Sequence, residues 1–356
     1  MRFTTLSVAL ATSSLSIAAP APAANYDHGN DHARKPEGLN ALARKAGLLY
    51  FGTAIDNPSL NNTKYLSIAY NTSEFGQVTP ANGQKWMYIE PSRNVFNYAM
   101  GDAIIKPAIQ NHQMRRCHNL LWHSQLPDWL TSKNYTKSEL IGILENHIKH
   151  EANYYKNECY AWDVVNEAFN DDGTYRNDLW LWTIGPEYLE LAFKFAKKYV
   201  GRGTKLYYND YNVERVNNKS MAIASMVKSF QAKDIPIDGL GFQAHFTTGK
   251  APSYDEVKAS MKQFTDLGLE VAITELDVRT TLPDSDEKQA QQAKDYAATV
   301  KACKDTEDCV GVTVWDFWDP LSWVPDVFSG QGVPCLWSAN YTKKPAYYAV
   351  AEVLRD

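Results

Sequence analysis

Eight times along the chain a short apolar run gives way to a stretch with helical spacing, and nearly every run stops on an acidic or hydrogen-bonding residue. The runs are residues 50–55, 77–82, 116–122, 161–166, 205–210, 239–246, 270–276 and 311–317. Their length and their Val, Ile, Tyr and Phe content predict buried strands rather than helices. Between them lie amphipathic segments. Residues 139–156 place Leu140, Ile141, Leu144 and Ile148 on one face, with Thr136 and Glu139 spaced as a capping box. Residues 187–200 do the same with Leu189, Phe193, Ala196 and Val200, and residues 287–304 repeat the pattern before the last run. Strand and helix alternating without a composition break predict one α/β domain, a (β/α)8 TIM barrel over residues 38–356. The open doubly wound alternative requires a Gly-rich phosphate loop after the first strand, and Gly52-Thr53-Ala54 is not one.

In such a barrel the reactive groups lie at the carboxyl ends of the strands. Those ends read Asn82 and Lys85, His123, Asn166 and Glu167, Asn209 and Asp210, Gln243 and His245, Glu275 and Asp277, then Trp315. A structural protein has no need to gather so many polar groups on one rim. Glu167 and Glu275 end the fourth and seventh runs, which face each other across an eight-stranded barrel. Acetal hydrolysis uses one carboxylic acid to protonate the departing oxygen and a carboxylate on the opposite face; at about 5–5.5 Å separation the second attacks directly and configuration is retained. A lone strand-end Glu is ordinarily a surface or ion-paired residue, but this pair within this rim is expected to be catalytic. Glu167 is expected to sit in the drier environment and keep its proton, and Glu275 to be held ionised by His245 and Asp277. No metal and no cofactor is expected: His118, His123 and His245 show no ligand spacing, and no Gly-x-Ser-x-Gly elbow occurs.

Composition describes an ordinary globular chain of 356 residues, 44% apolar and 22% charged, with a net charge of −5 that gives no reason to expect nucleic acid as a partner. The start reads as a secretory signal over residues 1–23: Arg2, a mostly apolar or small stretch from Leu6 to Ala18, then Ala21-Pro22-Ala23. A mobile lead-in or short propeptide is expected over 24–37, and no segment is long and apolar enough to span a membrane. Secretion is therefore expected. Sequons at Asn61, Asn71, Asn134, Asn218 and Asn340 fit it as glycosylation sites. The five cysteines fit the same compartment. Cys303 and Cys309 are placed for a local disulfide and Cys117 with Cys159, on neighbouring strands, for a second, leaving Cys335 over.

Five motifs stand in order along the chain: Leu-Leu-Trp-His-Ser-Gln-Leu-Pro-Asp-Trp, Trp-Asp-Val-Val-Asn-Glu-Ala, Leu-Tyr-Tyr-Asn-Asp-Tyr-Asn, Gly-Phe-Gln-Ala-His and Ile-Thr-Glu-Leu-Asp-Val. With them the chain, from about residue 38 to its end, resembles glycoside hydrolase family 10, the xylanase family of retaining barrels. The resemblance implies Glu167 as acid/base and Glu275 as nucleophile, and a glycan or glycoside as the partner of a monomeric catalytic domain. It implies that His123, Asn166 and Gln243 bond the sugar at the cleavage point, that His245 orients the nucleophile, and that Trp315 and Trp323 line the same subsite. Asn82, Lys85 and Trp86 would hold the next sugar on the non-reducing side. Trp129, closing the first motif, and Trp318 are further sugar-contact candidates; Trp162 and Trp182 read as packing.

The departures bear on substrate. Members of the family usually carry Glu before the Asn of strand two, where this chain has Thr79-Pro80-Ala81-Asn82. Met87 stands for the usual Asp, Trp315-Asp316-Phe317-Trp318-Asp319-Pro320 replaces a Gly-containing run, and Leu336-Trp337-Ser338 stands for Leu-Phe-Asp. Such changes, expected to cluster at the cleft, leave two substrate readings. One is β-1,4-xylan. The other is the branched tetrasaccharide of α-tomatine, which fungal tomatinases of this family remove, with Phe317 and Trp318 stacking on the apolar aglycone. A third reading, a non-catalytic carbohydrate-binding barrel, asks for a lost carboxylate, and both are present.

Overall fold

The computed structural model describes residues 37–356. The expected signal sequence and nearly all of the lead-in lie outside the described residues. Eight strands form the barrel: β1 Tyr50–Ile55, β2 Gln77–Pro80, β3 Met114–His118, β4 Ala161–Asn166, β5 Lys205–Asp210, β6 Gly239–Phe242, β7 Glu270–Thr281 and β8 Cys309–Val314. Each pairs in parallel with the next, and β8 returns to β1 through Tyr50↔Gly311 and Phe51↔Val312, so the sheet is closed. The predicted (β/α)8 barrel is the fold.

The strand ends moved where apolar residues continue past the ladder. β3 stops at His118 although Leu120 and Leu121 stay fully buried, because the chain crosses toward β4, with Leu120 N–H donating to Asp163 O at 3.0 Å. An apolar run does not distinguish a strand from a buried crossing. The sixth run breaks at Gln243 and Ala244, the latter at φ 62°, before a short strand His245–Thr247 resumes alongside β7. β7 itself runs five residues beyond the expected end, paired there with His245–Thr247 and, antiparallel, with Gln331–Gly332.

The helices form for the reasons the pattern gave. Helix Lys137–Tyr154 begins with both halves of the Thr136/Glu139 capping box. Helix Tyr188–Tyr199 buries Tyr188, Leu189, Ala192, Phe193 and Ala196 against the sheet and turns Lys194, Lys197 and Lys198 outward. Truncating the fully buried Phe193 to Ala is expected to cost about 3–5 kcal/mol. The barrel interior, by contrast, is partly polar: Arg116 Nη2 lies 2.5 Å from Asp163 Oδ1, and its guanidinium covers the Tyr207 ring at 4.4 Å. Neither charge reaches water, so Arg116→Met would leave Asp163 only His118 Nδ1, 2.9 Å from its other oxygen, at a cost of about 3–5 kcal/mol.

Two disulfides staple the shell, Cys117–Cys159 at the β3/β4 base and Cys303–Cys309 between helix Asp286–Lys304 and β8. Cys335 is free and buried. All five sequon asparagines are exposed.

Candidate active site

The two glutamates meet one cleft from opposite sides, and a single side chain links their supports. Asn209, last but one in β5, donates through Nδ2 to Asn166 Oδ1 at 2.9 Å and to Glu275 Oε1 at 2.7 Å. Its own orientation is fixed by Thr274, whose hydroxyl donates to Asn209 Oδ1 at 2.7 Å. Gly241 makes this possible: a Cβ there would stand 2.1 Å from Asn209 Oδ1. Asn166 and Gln243 in turn donate to Glu167 Oε1 at 3.3 and 3.0 Å, and Trp122 Nε1 donates to Glu167 Oε2 at 2.9 Å. On the other side Glu275 Oε2 lies 3.1 Å from His245 Nε2, and His245 Nδ1 lies 3.0 Å from Asp277 Oδ2, which also accepts from Trp323 Nε1 at 2.7 Å.

Contrary to expectation, Glu275 and not the half-buried Glu167 is the drier of the two carboxyls. Burial alone pushes Glu275 up, but the hydrogen bond from His245, the nearby His118 and the Asn209 amide outweigh it and hold the carboxyl below its usual range. Burial alone would push His245 down; Asp277 and Glu275 instead raise it to about 10, so the ring is cationic, bonded to Glu275 through Nε2 and ion-paired with Asp277 through Nδ1. Burial lowers Lys85 to about 8 despite the pull of Glu275, Asp56 and Glu167. Its ammonium donates to Asn82 Oδ1 at 2.9 Å and Gln125 Oε1 at 2.7 Å. The cleft holds about 730 Å³, room for several sugar rings, with Ala81, Asn82, Lys85 and Gln125 at one end and Tyr211, Asn212 and Arg279 among its other walls.

The profile of the family described as Glycosyl hydrolase family 10 matches residues 38–353. The chain belongs to that family. It is a glycoside hydrolase. It is 50% identical over 318 residues to endo-1,4-beta-xylanase D of Talaromyces funiculosus, covering 89% of this chain and 78% of that one. Among solved structures, the GH10 xylanase from Bispora sp. MEY-1 with xylobiose superposes with a TM-score of 0.86 at 44% identity, over 89% of this chain and 99% of that one. Penicillium canescens endo-1,4-beta-xylanase XylE gives 0.87 at 42%, over 89% and 97%.

In this family 10 hydrolase the cleft is lined by the expected Asn82, Lys85, Asn166, Glu167, Gln243, His245, Glu275, Trp315 and Trp323, with Asp277 buried behind His245. Four expected sugar contacts are not on its wall. His123 lies one step outside, where burial, with Arg176 and Lys219 nearby, pushes it down to about 4 and keeps it neutral. The histidine of this segment that lines the cleft is His118, missed because the apolar run was read through to Trp122; the true end of β3 was the signal. Trp86 is buried, stacked on His147 at 3.6 Å with its indole N–H on Glu90, and Trp129 donates to Glu90 O at 2.8 Å. Both brace the wall from behind. Trp318 stacks on Tyr341 at 4.5 Å, outside the cleft lining. Phe317 and Trp337 are core residues packed on Phe75. Of the departures from the family pattern, only Ala81 faces the cleft. Trp162 is buried as expected, but Trp182 is 69% exposed and packs little. Sequence reasoning also missed Trp122, Gln125, Arg279 and the segment Asp326, Val327 and Phe328, which carries no periodic signal.

Proposed function

We propose that the chain is a retaining endo-β-glycosidase acting on β-1,4-xylan by double displacement. The observation that carries this reading is the Asn209 amide, which joins the supports of both carboxyls within one cleft. Glu275 attacks the anomeric carbon as the C1–O bond breaks and Glu167 gives its proton to the departing oxygen. Glu167 then takes a proton from water, whose oxygen displaces Glu275 and restores both groups. Asn82 and Lys85 take the sugar on the non-reducing side, and Asn166 the 2-hydroxyl. The relatives' printed activities support xylan. Secretion is part of the same reading, supported by two disulfides and five exposed sequons.

Ala81 favours a second reading. It opens the wall where a Glu would bind the hydroxyls of the second sugar, and a branched sugar of the tomatinase-type substrate needs those positions free. The aglycone platform foreseen for that substrate is not supplied by Phe317 or Trp318. Incubating the purified protein with xylan and with α-tomatine decides between the two: rapid depolymerisation of xylan with intact tomatine supports the first, and release of the tetrasaccharide the second. Release of the β-anomer as first product, followed by proton NMR, tests retention.

A further inference from the structure

We propose that Arg176 is a positioning residue that sets the acid/base carboxyl of Glu167 and ties it to the leaving-group side of the cleft through Tyr211. Glu167 stands just past β4 at φ 58°, a left-handed conformation that a Glu holds only when its surroundings impose it. Its N–H donates to Asn209 O at 2.9 Å, and its carbonyl accepts from Arg176 Nε at 2.8 Å. Arg176 also donates its backbone N–H to Ala168 O at 2.7 Å and Nη2 to Phe169 O at 3.5 Å. One side chain and its own backbone thus bind three successive residues beginning with the acid. The same Nη2 donates to Tyr211 Oη at 2.8 Å, and Tyr211 lines the cleft. The other side of that ring system is held by Lys219, whose ammonium lies 3.8 Å from the Tyr211 centroid and 2.7 Å from the buried Asp210. On the proposed function, which gives Asn82 and Lys85 the non-reducing side, Tyr211 is assigned to the wall that takes the departing sugar. A sugar pressing on Tyr211 therefore bears on the group that places the proton donor. The planar guanidinium fork serves these acceptors together; an ammonium cannot.

A mere loop staple would lower stability, or slow all substrates alike. A positioning role for the acid has a different signature, because a dinitrophenolate departs without a proton whereas a sugar alkoxide does not. The test compares kcat/KM for xylohexaose and for 2,4-dinitrophenyl β-xylobioside in wild type, Arg176→Lys, Tyr211→Phe and Glu167→Ala, with thermal unfolding as a check on folding. Arg176→Lys is expected to lose ~10–100-fold on xylohexaose and less than ~3-fold on the dinitrophenyl glycoside. Tyr211→Phe, which removes one neutral hydrogen-bond partner, is expected to show the same split at ~3-fold. Equal losses on both substrates overturn the proposal. If Arg176→Lys does not fold, Tyr211→Phe decides, and wild-type kinetics on both substrates sink the coupling. The inference rests on Glu167 being the acid. Glu167→Ala losing both substrates equally defeats that assignment, whereas a split in Glu167→Ala without one in Arg176→Lys defeats only the positioning role.

Discussion

The carboxyl ends of β4 and β7 solve opposite problems with the same residue type. Glu275 sits inside an extended strand, 5% exposed, with one oxygen on Asn209 and the other on a cationic His245 that is itself backed by Asp277. Its backbone is ordinary β-structure and its charge is fixed by donors. Glu167 sits half-buried on the first residue past its strand, at positive φ, and its carboxyl meets two amides and an indole N–H, none of them charged. On the proposed mechanism Glu275 is the nucleophile and must stay ionised and still, and the sheet already provides rigidity there. A group that passes a proton in both directions must exchange with the substrate and with water. It is placed on a turn, and its position has to be imposed by neighbours.

The sharpest break in that comparison is to remove each carboxyl. Glu275→Gln leaves nothing to form the covalent intermediate, and kcat is expected to fall by ~10⁴-fold or more on every substrate. In Glu167→Gln kcat/KM should fall by ~10²–10⁴-fold, and only where the leaving group needs a proton, whereas kcat falls on every substrate because the same group takes the proton from water in the second step. Steady-state assays on xylo-oligosaccharides and on activated aryl glycosides read both; identical profiles for the two variants would mean that the two ends do not differ in role. Next in size is His245→Asn. Without the cation the burial of Glu275 is no longer outweighed, so its pKa rises. Activity needs the ionised carboxylate, which in the wild type persists below the usual carboxylate range and is lost as pH falls through the lowered pKa. The acid limb of kcat/KM should accordingly move to higher pH in the variant, with ~10²-fold lower rate at the optimum. An unmoved limb would assign the lowered pKa to other groups.

The same contrast explains what the sequence disclosed. β1, β4 and β5 have the bounds expected of them, because their residues, Lys205 at the start of β5 excepted, are buried along the whole run and a polar residue closes the last two. The placement of Glu167, Glu275 and Asn166 at the cleft was therefore legible. Positions that depend on where a strand stops were not. His118 against His123 turned on Leu120 and Leu121 being buried in a crossing rather than a ladder. Tryptophans were least legible of all, since stacking on a sugar, on His147 or on Tyr341 asks the same of a ring, and only the fold says which partner is present. Arg176 lies nine residues beyond the glutamate whose carbonyl it holds, and nothing in its own segment announces the bond.

Smaller effects probe the glycone end, which both carboxyls share. Lys85 is charged below about pH 8 and neutral above it. Raising pH through that value removes the charge from an ammonium that lines the cleft, so KM is expected to climb several-fold while kcat holds. Lys85→Met should show the raised KM, by ~10-fold, at every pH. A KM flat from pH 7 to 9 in the wild type would show that Lys85 does not bind substrate as a cation.

Ala81→Glu is the mildest change and the most informative about substrate. A carboxylate beside Lys85 stabilises its charge, raising its pKa and moving the alkaline rise in KM to higher pH. On the xylan reading the new acceptor also takes hydroxyls of the second sugar, and KM for linear xylo-oligosaccharides should drop by ~3–10-fold. On the branched-substrate reading the same carboxylate occupies the space a substituent needs, and hydrolysis of the branched glycoside should fall instead. Because the substitution leaves Glu167, Glu275 and their partners untouched, kcat on an activated aryl xylobioside should stay within ~2-fold of wild type. A larger drop there would mean that the glycone wall and the catalytic pair are coupled through Lys85, whose ammonium Glu275 and Glu167 both favour.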